Sequence, residues 1–127
     1  MKKRSLYLNG PEVTECGAGC WQLGGGWGRD WNDAIAQDIL QTSYDSGVRF
    51  FDTADVYDNG ESELSVGRFR RTHPDIFVAT KLGRGMGMYP DGYTRDSLKS
   101  STEASLATIS CASRSKRPKK IWRMMVA

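Results

Sequence analysis

The chain has 127 residues, 39% of them hydrophobic and 26% charged, which suits one globular domain and excludes a fibrous or wholly disordered protein. Its 18 Lys and Arg outnumber 15 Asp and Glu, but Arg114, Lys116, Arg117, Lys119, Lys120 and Arg123 supply six of those cations, and no acid follows Glu103. Without these six, residues 1–113 hold 12 cations against 15 acids, so the net charge of +3 belongs to the last dozen residues and is no reason to read the whole chain as a nucleic-acid binder. No apolar run approaches the roughly 20 residues of a membrane helix, and Ser5–Gly10 after the basic start is too short for a signal-peptide core. With an odd three cysteines, reduced thiols and a cytoplasmic location are expected.

In chain order, a short strand is expected around Cys16–Cys20, followed by the glycine-dense loop Gly24-Gly25-Gly26-Trp27-Gly28. Asp30 or Asn32 can cap a helix running to about Ser46, with Asp33 in its first turn. Ile35, Ala36, Ile39, Leu40 and Ser43 form one stripe at helical spacing, predicted to be buried, and Gly47 is placed for a left-handed cap. Val48–Asp52 reads as a second strand, and Asn59-Gly60 as a turn. Glu61–Arg71 reads as a second helix with Leu64, Val66 and Phe69 as its apolar positions, stopped by His73-Pro74. Ile76–Lys81 reads as a third strand, and Thr94 can cap a third helix to about Ile109.

Strand and helix thus alternate three times at a spacing of about 30 residues. That pattern predicts a parallel α/β sheet, either open and doubly wound or part of a barrel. In both, chemistry collects where the strands end. Asp52 ends the second predicted strand and Lys81 the third, so both are expected on one rim, neutralising each other. Tyr57 follows closely enough to fold back over that rim, where a cation beside a phenol favours proton donation. The same Asp–Lys pair also suits a purely structural role. Cys16 and Cys20 have no second ligand pair, so no metal site is expected; both are read as small buried residues on one strand face. His73, in a post-helix loop, reads as a solvated turn residue.

These positions sit inside a larger pattern. Gly17-Ala18-Gly19-Cys20-Trp21-Gln22-Leu23-Gly24-Gly25, Gly47-Val48-Arg49-Phe50-Phe51-Asp52-Thr53-Ala54-Asp55-Val56-Tyr57, Gly60-Glu61-Ser62-Glu63-Leu64 with Gly67, and Val78-Ala79-Thr80-Lys81-Leu82-Gly83 together resemble the aldo/keto reductase family. The first stretch looks most like its bacterial branch related to aryl-alcohol dehydrogenases. The resemblance spans roughly residues 4–109 and implies an eight-stranded α/β (TIM) barrel that reduces small aldehydes or ketones with NADPH and no metal. It also implies that Tyr57 donates the proton, that Lys81 favours this, that Asp52 holds Lys81, and that Cys20, Trp21 and Asp52 contact the cofactor.

A barrel of this kind takes about 250 residues, so the reading is of three strand–helix units over residues 1–110, a truncated barrel. The His that would complete the implied tetrad has no counterpart here. Within residues 111–127 the stretch Ser113–Lys120 holds five basic residues, one proline and no apolar side chain, and the segment reads as a disordered, out-of-frame continuation. The alternative reading is a non-catalytic protein whose tail contacts nucleic acid or an acidic partner; the cations lack interleaved aromatics before Trp122, which argues against it.

Overall fold

The computed structural model describes residues 1–26, 28–84 and 91–110. The basic segment 111–127 lies outside these residues. Two strands that the sequence pattern did not suggest come first: β1 (Lys3–Ser5) and β2 (Glu12–Thr14) pair antiparallel, Lys3 opposite Thr14. The signal for this hairpin was present as Asn9-Gly10, and Asn9 takes the left-handed conformation, φ 59°.

The parallel sheet follows in the order β3 (Ala18–Gly19), β4 (Phe50–Asp52), β5 (Phe77–Ala79). Ala18 lies opposite Phe51, and Phe51 opposite Val78. These residues share one face by strand alternation, and Phe51 and Val78 are buried. Phe50 and Phe77 pair on the other face, their rings stacked 5.7 Å apart and only half covered.

Each parallel strand leads to a helix: α1 (Asp33–Asp45), α2 (Glu61–Thr72) and α3 (Arg95–Ser110). Asn32 caps α1, its Oδ1 accepting from the Ile35 N–H at 3.2 Å. Gly47 has φ 92° just past α1, the conformation glycine tolerates at a helix end. Thr94 Oγ1 accepts from the Ser97 N–H at 3.1 Å ahead of α3. The core gathers Leu40 from α1, Val66 and Phe69 from α2 and Ile109 from α3 over Phe51 and Val78.

Three sequence expectations need correction. On α1, Ala36 and Leu40 are buried but Ile35 and Ile39 remain 51% and 41% exposed. α2 packs on α1, whereas Ile35 and Ile39 line a shallow groove beside Gln22 and Arg29 that no described element covers. Leu64 is likewise partly exposed, at 38%; Val66 and Phe69 are buried as expected, and the small residues Ser62, Ser65 and Gly67 share the buried side of α2 with them. Cys16 is exposed while Cys20 is buried, because β3 is only two residues long and Cys16 precedes it in a bend, where strand alternation has no hold.

His73 is also less solvated than its loop position suggested. Its ring stacks on Phe69 at 3.9 Å and meets Tyr44 edge-on at 4.3 Å. Nearby, the Arg49 guanidinium lies 3.6 Å over the Tyr44 ring and its Nε donates to Asp75 Oδ2 at 2.8 Å. This cluster ties the C-terminus of α1 to the N-terminal ends of β4 and β5. Among the described residues no helix is long and apolar enough to cross a membrane, and no group of His, Cys, Asp and Glu could hold a metal ion.

Candidate active site

The opposite ends of the strands build a different surface. Asp52 is the last residue of β4, and Lys81 follows β5 by two residues. Lys81 Nζ donates to Asp52 Oδ1 at 2.7 Å and to the Thr53 carbonyl at 2.8 Å. The two side chains are half-buried, so the pair is neither bare to solvent nor locked in the core. Burial alone would push the Lys81 ammonium down; hydrogen bonds to Asp52 and Tyr57, with their charges, outweigh it and hold the group above its ordinary value.

Tyr57 reaches this pair by a tight local route. Its N–H donates to the Ala54 carbonyl at 3.2 Å, and a short 3-10 turn, Tyr57–Gly60, follows. Asp58, Asn59 and Gly60 all have positive φ, 48°, 54° and 93°, which reverses the chain directly into α2. Asp, Asn and Gly are the residues that tolerate this region best. The Tyr57 ring centroid lies 5.0 Å from Lys81 Nζ, and its other neighbour is Trp21, stacked at 6.2 Å with 26° between planes. Trp21 is 65% exposed.

Cys20 stands apart from its neighbour. Its side chain is fully buried, and burial, helped by the Asp52 charge and opposed by Lys81, pushes the thiol up to about 12. At neutral pH it is an inert, protonated core group. Its N–H donates to the Asp52 carbonyl and its own carbonyl accepts from Ser62, so the backbone, too, is engaged within the protein.

Trp21, Val56, Tyr57, Lys81, Leu82 and Tyr93 line an open cavity of about 430 Å³ over the rim. Tyr93 was not expected there; its hydroxyl donates to the Gly83 carbonyl at 2.9 Å, which draws the segment before α3 toward the strand ends. A lone tyrosine in a glycine-rich loop carries no periodic signal that would have marked it. The structure therefore brings Asp52, Tyr57, Lys81 and Trp21 together, and leaves His73 at the other end of the sheet.

A parallel strand–helix sheet with ionisable residues gathered at the strand C-termini belongs to the class of α/β barrels and related folds. Residues 15–112 match the sequence pattern of the Aldo/keto reductase family, and the chain belongs to that family. It is 34% identical over 100 residues to the uncharacterized oxidoreductase YqkF of Bacillus subtilis (strain 168), a match covering 78% of this chain and 31% of that protein. The solved holo form of aldo-keto reductase AKR11C1 from Bacillus halodurans is 30% identical, with a TM-score of 0.71 over 86% of this chain and 36% of that one. An aldo-keto reductase from Klebsiella pneumoniae in complex with NADPH shares the fold at 22% identity, with a TM-score of 0.64 over 86% of this chain and 36% of the other. The chain thus spans about a third of the length of the relatives it matches, and the described residues form a partial α/β fragment built on a three-stranded parallel sheet.

Proposed function

We propose that this chain carries the proton-donating part of an NADPH-dependent carbonyl reductase site, in which a small aldehyde or ketone is reduced to an alcohol. The observation that carries this reading is the contact of Lys81 with both Asp52 and the Tyr57 ring on one rim beside an open cavity. The residues suit the nicotinamide end of such a cofactor: the largely exposed Trp21 indole offers a flat apolar surface, and Asp52 keeps a partly exposed carboxylate beside it. When bound, the cofactor supplies hydride. Tyr57 would donate a proton to the carbonyl oxygen as negative charge develops there, and the Lys81 ammonium would stabilise the phenolate left behind. Asp52 would keep Lys81 charged and aimed. The cofactor contact expected of Cys20 is not one its surroundings favour: the residue is fully buried, with its N–H and carbonyl both bonded within the protein, so its part would be to hold the chain beside Trp21.

The fold we propose for the whole is an eight-stranded barrel of which residues 1–110 supply three strand–helix units, with 111–127 as a separate basic tail. A cytoplasmic setting fits the free thiols of Cys16 and Cys20, the cysteines among the described residues. The fourth tetrad member implied by the family has no counterpart in this sequence, whose single histidine, His73, packs on Phe69 at the far end of the sheet. The 127-residue chain alone is therefore expected to lack turnover. The test follows NADPH absorbance with benzaldehyde, using the chain alone and the chain joined to the remaining barrel of AKR11C1. The joined protein should reduce the aldehyde, and Tyr57→Phe in it should lower kcat by about 10²–10⁴-fold. A folded chimera whose Tyr57→Phe variant keeps full activity would overturn the assignment.

A further inference from the structure

Two adjacent side chains in the first turn of α2 are polar and buried, and neither lines the cavity just described. Ser62 is fully buried; its Oγ donates to the Cys20 carbonyl at 2.8 Å and lies 2.8 Å from Thr53 Oγ1. A hydroxyl has one proton, so with Ser62 donating to Cys20, Thr53 is the donor in the second bond. Glu63 is only 3% exposed and accepts a hydrogen bond from Thr80 Oγ1 at 2.5 Å.

The three partners are the residues that follow the three parallel strands. Cys20 comes after β3, Thr53 after β4, and Thr80 after β5, directly before Lys81. The Thr53 carbonyl is itself the second acceptor of Lys81 Nζ. The first turn of α2 therefore grips Lys81 from two sides, through the carbonyl that receives its ammonium and through the residue that precedes it in the chain. Apolar side chains would dock the helix equally well, as Val66 and Phe69 do further along. Directional hydrogen bonds fix position as well as contact.

We propose that Ser62 and Glu63 are positioning residues that set where the Lys81 ammonium stands relative to Asp52 and Tyr57. The inference rests on the reading of Lys81 as a member of a reductase site, but its test reads Lys81 itself and not turnover, so either can fail without the other.

The experiment is competitive acetylation of the lysines of the 127-residue chain at about pH 9, read peptide by peptide by mass spectrometry. Lys99, exposed on α3, is the internal reference, and urea unfolding is measured on the same samples. Lys81 is shielded by burial, and Asp52 and Tyr57 keep it charged, so a displaced ammonium presents more free amine. In Ser62→Ala, Glu63→Ala and Thr80→Val, labelling of Lys81 relative to Lys99 should rise about threefold or more, equivalent to half a pKa unit. Glu63→Gln and Thr80→Ser keep the acceptor and the donor, and both should hold the wild-type ratio. The Thr80 pair decides the matter even if Ser62→Ala fails to fold. An unchanged Lys81 ratio in folded Thr80→Val, with only its unfolding midpoint lowered, would reduce the network to a structural one and overturn the proposal. A rise in Thr80→Ser equal to that in Thr80→Val would overturn it as well.

Discussion

A Cβ added at Gly67 would lie 2.6 Å from the carbonyl oxygen of Thr108, so α2 and α3 meet there backbone to backbone. Gly67→Ala would gain about 1 kcal/mol of helix propensity, but the neighbouring atom is main chain and cannot swing aside. Overpacking of this kind costs about 1–3 kcal/mol. The variant should unfold at lower urea than the parent chain. A raised midpoint would show that α3 shifts freely against α2.

Phe51 is fully buried at the centre of the sheet, with Ala18 and Val78 as its cross-strand neighbours and the Phe69 ring 6.1 Å away. Phe51→Ala should cost about 3–5 kcal/mol, measured by urea unfolding. Phe50→Ala, whose ring is half covered on the other face, should cost distinctly less.

Glu63 offers a pH test. Burial, the largest influence, raises its carboxyl above the ordinary value, and the nearby Asp55 charge adds to this; the Thr80 hydrogen bond opposes them. The folded state therefore holds the proton more tightly than the unfolded chain. Stability contributed by the protonated form is present below the unfolded value of about 4.3 and is lost as pH rises through the folded one. Glu63→Gln removes that loss. It should be more stable than the parent chain at neutral pH, with the difference narrowing toward about pH 4, as read by thermal melts across the range.

The opposite sign is expected at Asp75. Burial tends to raise its carboxyl, but hydrogen bonds from Tyr44 and Arg49 outweigh it and hold the group below its usual range. Its contribution is present above the unfolded value of about 3.9 and disappears as pH falls through the lower folded one. Asp75→Asn should weaken the chain at neutral pH and flatten the acid limb of its stability profile. Because the cluster lies at the end of the sheet away from Lys81, Lys81 acetylation in this variant should match the parent's.

The elements that announce themselves by period and punctuation were readable in advance: Asn32 and Gly47 bracket α1, and Phe51 and Val78 sit in short apolar runs between turn signals. The rim was readable because a charged residue closing an apolar strand has few places to go, which put Asp52 and Lys81 together before any coordinates. What stayed hidden depends on neighbours distant in sequence. Nothing local distinguishes Ser62 from a surface serine, or tells that Leu40 would be fully buried and Ile39 left partly exposed. Trp21 against Tyr57 is likewise a contact across 36 positions, set by how two loops lie over one sheet end.

The β1–β2 hairpin is fastened to the sheet where Thr14 Oγ1 accepts from the Arg49 N–H at 3.0 Å, at the beginning of β4 and so at the end of the strands away from Lys81. Its tip is closed on itself by Leu6 N–H to Pro11 O at 3.1 Å and Gly10 N–H to Tyr7 O at 2.8 Å, and Leu8 projects 90% exposed. That gives the molecule a handle. Doubling such a loop costs only about 0.6 kcal/mol in closure entropy, so a capture peptide grafted beside Leu8 would tether the protein to a surface with its cavity facing outward.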